Sequence, residues 1–305
     1  MKAMKNSEQL MEIRSAEVGP TVLILAGVHG DEYEPMIAAA QLKAFIGNNL
    51  KKGIVRIMPI VNRSAFKIGA RCGEDGLDLA RICPGDVNGS ISMQYAAMAA
   101  EEIQKCDYLI DLHTGGQLFD LYPLAGYMLH EDKTVLAKQR KMARAFGLPL
   151  IWGTDPLPEG RTLSVARDCQ IPAIYVEFGG PGPVRAKVID AYIQGCLNIL
   201  RDLDMLDFIP KSRKRPKYVV EDSTPGGGYL QGKMAAPYDA VFEPTVQVGE
   251  QIKAGDRWGI IYDVDTLNPK DILADMDGIV LFIRSIPLVK KGESLGGILK
   301  INASL

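Results

Sequence analysis

Histidine is scarce in this chain: three stand among 305 residues, at His29, His113 and His130. Any imidazole-based site therefore has few places to be built. The five cysteines, Cys72, Cys83, Cys106, Cys169 and Cys196, are scattered and form no CxxC pair. That spacing argues against both a Cys-rich zinc site and a disulfide framework. No apolar run approaches the roughly 18–20 residues that a membrane span requires. The opening MKAMKNSEQLMEIRSAEVGP is polar and lacks the apolar core of a secretory signal, so a cytoplasmic location is expected. Neither sign of charge dominates: 35 Lys and Arg face 37 Asp and Glu, a net charge of −2. Nothing in that balance calls for a nucleic acid or an anionic membrane as partner.

What is present is the composition of an ordinary globular enzyme, with 47% hydrophobic and 24% charged residues. The length accommodates one large α/β core and a smaller appended domain. Short apolar runs at Thr21–Ala26 (TVLILA), Gly53–Val61 (GIVRIMPIV), Asp107–Leu112 (DYLIDL) and Ile171–Val176 (IPAIYV) read as buried strands. Between them MIAAAQLKAFI, Ser92–Cys106, Asp132–Phe146 and Val184–Leu206 read as helices. The alternation predicts an α/β fold, a mostly parallel mixed sheet flanked by helices, over residues 1–210. The basic KSRKRPK stretch reads as a solvated linker. A β-rich domain is expected over 211–305, built on an internal repeat. PYDAVFEPTVQVGEQIKAGDRWGII aligns with DMDGIVLFIRSIPLVKKGESLGGIL, matching Asp239 with Asp277, Val241 with Ile279, Gly255 with Gly292 and Trp258 with Leu295. Two such halves suggest a pseudo-symmetric β-sandwich that resembles biotinyl/lipoyl-like modules. Lys270, at the hairpin where those modules carry a modified lysine, lacks their flanking motif.

The chemistry concentrates at strand ends. His29 and Glu32 follow the TVLILA strand within GVHGDEYEP. Imidazole nitrogen and carboxylate oxygen are common zinc ligands, although an isolated HxxE more often marks surface polar residues. His113, in DYLIDLHTGG, ends a second strand, and open α/β sheets bind ligands outside such ends. Asp111, two residues earlier, points to the same face of the strand and can either orient the imidazole or make a structural hydrogen bond. Glu177 ends a third strand before GGPG. Two histidines and one glutamate leave a zinc position open to water, and a carboxylate that is not a ligand can serve as general base. The segment NRSAFKIGARCGEDGLDLARICPG reads as a long loop presenting Arg63, Arg71 and Arg81, a residue type suited to carboxylates and oxyanions. Arg161 and Arg167 precede Glu177; Arg161 is assigned with Arg81 to substrate binding, although spacing does not separate it from Arg167. His130 is expected in packing or at the surface, and Tyr229 or Tyr238 could reach the cleft.

GVHGDEYEP, DLARICPG, DLHTGG and VEFGG, in that order, resemble the succinylglutamate desuccinylase/aspartoacylase family of zinc carboxypeptidase-like enzymes. The resemblance covers roughly residues 21–185. It implies one zinc ion per chain held by His29, Glu32 and His113, with Glu177 as proton shuttle, Arg71 polarising the scissile carbonyl and Arg81 holding a substrate carboxylate. The family usually carries Asn before that last arginine (DLNR). Here Ala80 stands in its place and cannot donate a side-chain hydrogen bond, a departure that bears on substrate identity rather than reaction type. The expected activity is hydrolysis of the amide of a small N-acylated amino acid or related amine, a small-molecule substrate. A zinc carboxypeptidase acting on peptides, or a non-catalytic binding or carrier protein on the same fold, are the alternatives. The sequence leaves a homo-oligomer open.

Overall fold

The computed structural model describes residues 9–206, 215–228 and 233–301. The chain begins with β1 (Met11–Arg14) and β2 (Thr21–Ala26), followed by α1 (Tyr33–Ile46), β3 (Ile54–Met58), α2 (Arg63–Ile68) and α3 (Ile91–Ile103). Next come β4 (Tyr108–His113), β5 (Phe119–Met128), α4 (Lys133–Phe146), β6 (Leu150–Thr154), α5 (Thr162–Asp168), β7 (Ala173–Gly179) and α6 (Ala186–Asp202). The remainder is all β: β8 (Tyr218–Glu221), β9 (Ala240–Pro244), β10 (Gln251–Ile252), β11 (Arg257–Asp263), β12 (Pro269–Leu273), β13 (Gly278–Arg284), β14 (Leu288–Val289) and β15 (Gly296–Leu299). No helix of the described residues is long and apolar enough to cross a membrane.

Strands β3, β2, β4 and β7 run parallel and side by side, with β1 antiparallel at one edge and β5 antiparallel beyond β7. Side chains alternate between faces along a strand, and the packing shows it. Val22, Ile24 and Ala26 of β2, Ile110 and Leu112 of β4, and Ile174 and Val176 of β7 pack beneath α1, α4 and α6. Leu23, Leu25, Leu109 and Ala173 face α3 and α5 on the other side. Both faces are covered, so these strands read in the sequence as continuous apolar runs rather than alternating ones. The same alternation carries Asp111 and His113, and Tyr175 and Glu177, onto the α3/α5 side.

The segment read as one long loop contains α2. Asn62 caps it by accepting from the Ala65 amide at 3.1 Å, and Gly69, in the left-handed conformation, closes it after six residues. Gly30 of the GVHG turn lies directly against the Ala65 carbonyl. A Cβ at that position has no room, so the turn carrying His29 and the arginine-bearing segment are locked together by the absence of a side chain.

The far edge of β5 is shared. Phe119–Leu121 pair with β13, while Leu124–Met128 pair with the parallel strand β6, which in turn pairs with β8. Residues 218–221 and 278–284 thus join the large mixed sheet. A separate four-stranded antiparallel sheet, in the order β12-β11-β9-β14, packs against them around Trp258, Phe242 and Ile261. The internal repeat is visible atom by atom. Asp239 accepts from the Lys291 amide and Asp277 from the Ala254 amide, at 2.9 and 2.8 Å. Gly255 and Gly292 both have positive φ, and their amides donate to Ala274 and Ala236. Trp258 and Leu295 are both fully buried.

Candidate metal centre and active site

Three strand ends meet at one point. His29 and Glu32 leave β2 in the turn before α1, and His113 is the last residue of β4. All three are buried. Their candidate ligand atoms lie within 4.8 Å of one another. Glu32 sits between the rings, with Oε1 2.7 Å from His29 Nδ1 and Oε2 3.0 Å from His113 Nδ1.

The opposite ring nitrogens are equally well defined. His29 Nε2 lies 3.2 Å from Asp78 Oδ1, and His113 Nε2 lies 3.1 Å from Asp111 Oδ2. An imidazole that donates one N–H to a carboxylate presents its other nitrogen as a lone pair, which is the arrangement metal-ligating histidines adopt. Both Nδ1 atoms are thereby turned inward. The Thr162 hydroxyl holds Asp111 from α5, and the Tyr192 hydroxyl of α6 donates to the His113 carbonyl.

Electrostatics point the same way. Burial alone would raise the Glu32 carboxyl, but the imidazoles on either side outweigh it and lower it to about 2. Burial works against charge on His113 too, yet Asp111 and Glu32 push its pKa well above the ordinary value. The carboxylates of Glu32, Asp78 and Asp111 around the two rings favour positive charge in this cluster, which a proton or a cation can supply. A divalent cation meets that preference, and the His–Glu–His donor set suits one.

Glu177 stands beside His113, its direct partner in the parallel β4–β7 register. Its Oε2 is buried and has no hydrogen-bond partner. Burial pushes its carboxyl up to about 8, with Glu32 and Asp111 adding to the rise and His113 and Arg71 opposing it. Arg71 approaches from the loop: Nε donates to Asp78 Oδ2 at 3.0 Å, and Nη1 lies 3.4 Å from His29 Nδ1.

Asp78 is a site residue that no spacing in the sequence singles out. Its Oδ1 accepts from the Ala80 amide at 3.0 Å, capping the short turn that carries Arg81. One carboxylate therefore ties together His29, Arg71 and the Arg81 turn. Burial would raise it, but its bond to His29 and the Arg71 charge hold it well below the usual carboxylate range. The signal available was the DLAR motif itself, in which Asp78 stands two residues ahead of Ala80.

A cavity of about 140 Å³ opens onto these groups, lined by His29, His113, Glu177 and Arg71, and also by Arg81 and Arg161. Arg167 is instead bonded to the Pro156 carbonyl, Glu159 and Asp168, away from the cavity. Arg63 opens α2 and does not line it. His130 lies 3.3 Å from the Arg167 carbonyl and accepts from the Asp132 amide, a packing role. Tyr238 packs in the C-terminal core, and Tyr229 lies outside the described residues.

Residues 18–203, well over half of the chain, match the succinylglutamate desuccinylase/aspartoacylase catalytic domain. The chain belongs to the succinylglutamate desuccinylase/aspartoacylase family. Family membership makes it a hydrolase acting on amide C–N bonds. It is 27% identical to the N-alpha-acetyl-L-2,4-diaminobutyric acid deacetylase of Halomonas elongata, over 94% of this chain and 84% of that protein. It is similar to a succinylglutamate desuccinylase/aspartoacylase of Rhodobacter sphaeroides, with a TM-score of 0.84 and 28% identity over 96% of this chain and 89% of the other. The product-bound ectoine utilization protein EutE (DoeB) of Ruegeria pomeroyi shares the fold, with a TM-score of 0.85 and 24% identity over 95% and 87% of the two chains.

Proposed function

We propose that this family member is a zinc-dependent deacylase that hydrolyses the amide of a small N-acylated amino acid or related amine. The observation that carries this reading is the convergence of His29, Glu32 and His113 with Glu177 and Arg71 at the mouth of one cavity. His29, Glu32 and His113 would hold the ion, and Asp78 and Asp111 would fix the two imidazoles. When bound, zinc supplies Lewis acidity toward water and the substrate carbonyl.

The chain's own residues carry the proton and the charge. Glu177, with an oxygen that accepts from no protein donor, takes a proton from the attacking water. As the carbonyl becomes tetrahedral, Arg71 donates to its developing oxyanion, held in aim by Asp78. Glu177 then delivers its proton to the leaving nitrogen as the C–N bond breaks, releasing a carboxylic acid and a free amine. Arg81 and Arg161, which line the same cavity, bind the substrate carboxylate. The Halomonas elongata relative, whose name gives an N-acetylated amino acid as its substrate, supports an amino-acid amide as the substrate class.

Glu177→Gln separates the roles. The variant is expected to keep its zinc and lose turnover on N-acyl amino acids by at least two to four orders of magnitude, the range general acid–base catalysis supplies. Undiminished turnover removes Glu177 from the mechanism.

A further inference from the structure

The cavity does not end at the zinc ligands. Its floor is one face of the sheet across four neighbouring strands, β4, β7, β5 and β6, and the register states what stands on it. His113 of β4 is opposite Glu177 of β7, and Glu177 is opposite Leu124 of β5. Further along, Gly126 of β5 lies between Tyr175 of β7 and Trp152 of β6, and Met128 lies beside Thr154. Strands are spaced by about 4.8 Å, so the floor from Glu177 to β6 extends roughly 10 Å. Leu121, Leu124, Met128 and Trp152 line it from the sheet and Leu163 from α5, all more than nine-tenths buried. At Gly126 a Cβ would collide with the Tyr175 ring. The missing side chain lets that ring lie flat across the floor.

The charges around the cavity are unevenly divided. Arg71, Arg81 and Arg161 line it, while the lining carboxylates among the described residues are Asp111 and Glu177. Asp111 is engaged by His113 and Thr162, and Glu177 faces the metal centre. Asp155, nearby, accepts from the Leu157 and Gly226 amides. An ammonium-bearing arm would meet guanidinium groups and apolar walls with no uncommitted carboxylate among the described residues, and an unpaired buried charge is strongly disfavoured. An acetyl methyl is far smaller than the cavity of about 140 Å³.

We propose that the preferred substrate is an N-acyl amino acid carrying an uncharged apolar arm, aromatic or medium-length aliphatic, that lies along Leu124, Met128 and Trp152. This rests on the deacylase reading and narrows its substrate class. The arm is either the amino-acid side chain or the acyl chain, and both present the same chemistry to the floor.

The test is a comparison of kcat/KM for the zinc-loaded full chain on N-acetylglycine, N-acetyl-L-phenylalanine, N-hexanoylglycine, N-acetyl-L-aspartate and N-acetyl-L-2,4-diaminobutyrate. At least one of the two apolar substrates is expected to exceed N-acetylglycine by about tenfold or more, as added apolar contacts in a hydrophobic pocket do. Which one does so identifies the arm. The diaminobutyrate compound is expected to fall below N-acetylglycine. Preference for the diaminobutyrate or aspartate compound overturns the inference and leaves the deacylase standing; equal rates on all five do the same. Cleavage of none overturns both. Met128→Glu places a carboxylate on the floor and is expected to move the phenylalanine-to-diaminobutyrate ratio at least tenfold toward the cation. Calorimetry of the unsubstituted protein supplies a second readout that needs neither turnover nor the variant. Hexanoate or L-phenylalanine is expected to bind at least tenfold more tightly than acetate or glycine, and tighter binding of 2,4-diaminobutyrate contradicts the inference.

Discussion

At the scale of single residues, the site depends on carboxylates that touch no substrate. Asp78 accepts from Arg71 while contacting His29, and it caps the turn leading into Arg81. Asp78→Asn keeps the size and one acceptor oxygen but removes the charge that holds Arg71 and sharpens His29. Partners behind metal ligands are worth about 10–100-fold in affinity or activity. The variant is expected to lose kcat/KM by that factor and to release zinc more readily to a chelator, with a melting temperature close to that of the parent. Competition with a chromogenic chelator, alongside kinetics, checks both. Unchanged zinc affinity and rate would remove Asp78 from the site. None of this is visible as spacing, because Asp78 and His29 are 49 residues apart and meet only when the loop folds back. His29, Glu32, His113 and Glu177 were legible for a different reason. Each closes, or closely follows, an unbroken apolar run, and the carboxyl ends of parallel strands converge.

At the scale of elements, the arginine-bearing segment is held by a hub. Asp75 accepts from the Ser90 hydroxyl at 2.5 Å and from both the amide and hydroxyl of Ser92, at 2.9 and 2.7 Å, where α3 begins. Burial raises this carboxyl, but those bonds and the Leu77 amide together outweigh it and lower it to about 2. A folded-state pKa below the unfolded value contributes stability at pH above about 4, which is lost as pH falls toward 2. Asp75→Ala is therefore expected to cost about 2 kcal/mol at neutral pH, and its stability is expected to fall less steeply than the parent's between pH 4 and 2. Chemical denaturation at several pH values measures this, and parallel acid limbs would contradict it. β5 reads FDLYPLAGYM, and its Pro123 and Gly126 look like breakers. The strand accommodates the proline at a bulge between Leu121 and Leu124, and the glycine makes room for Tyr175. The five-residue β6 and seven-residue α5 are too short to show a period. The cavity floor was hidden for that reason: broken or brief elements build it, whereas long apolar runs build the metal centre.

At the scale of the whole molecule, the C-terminal β structure and the catalytic sheet share hydrogen bonds and a core. β13 pairs with the start of β5, Phe282 packs edge-on against Phe119 at 5.0 Å, and Leu281 and Ile279 join Leu121 and Trp152 in one apolar cluster. The strand that supplies the cavity floor is thus braced along its edge by the repeat-containing segment. Repeat symmetry was readable because both halves keep the same Asp, Gly and apolar positions. The seam was not, because it joins residues about 160 positions apart whose pairing only the register defines. These layers together position one candidate metal centre, and its occupancy is the most direct test of the account. Elemental analysis of the purified chain is expected to find one zinc per chain, lost in His113→Ala and retained in Glu177→Gln. Stoichiometric zinc in His113→Ala, or undiminished amide hydrolysis by protein shown to hold no metal, would contradict it.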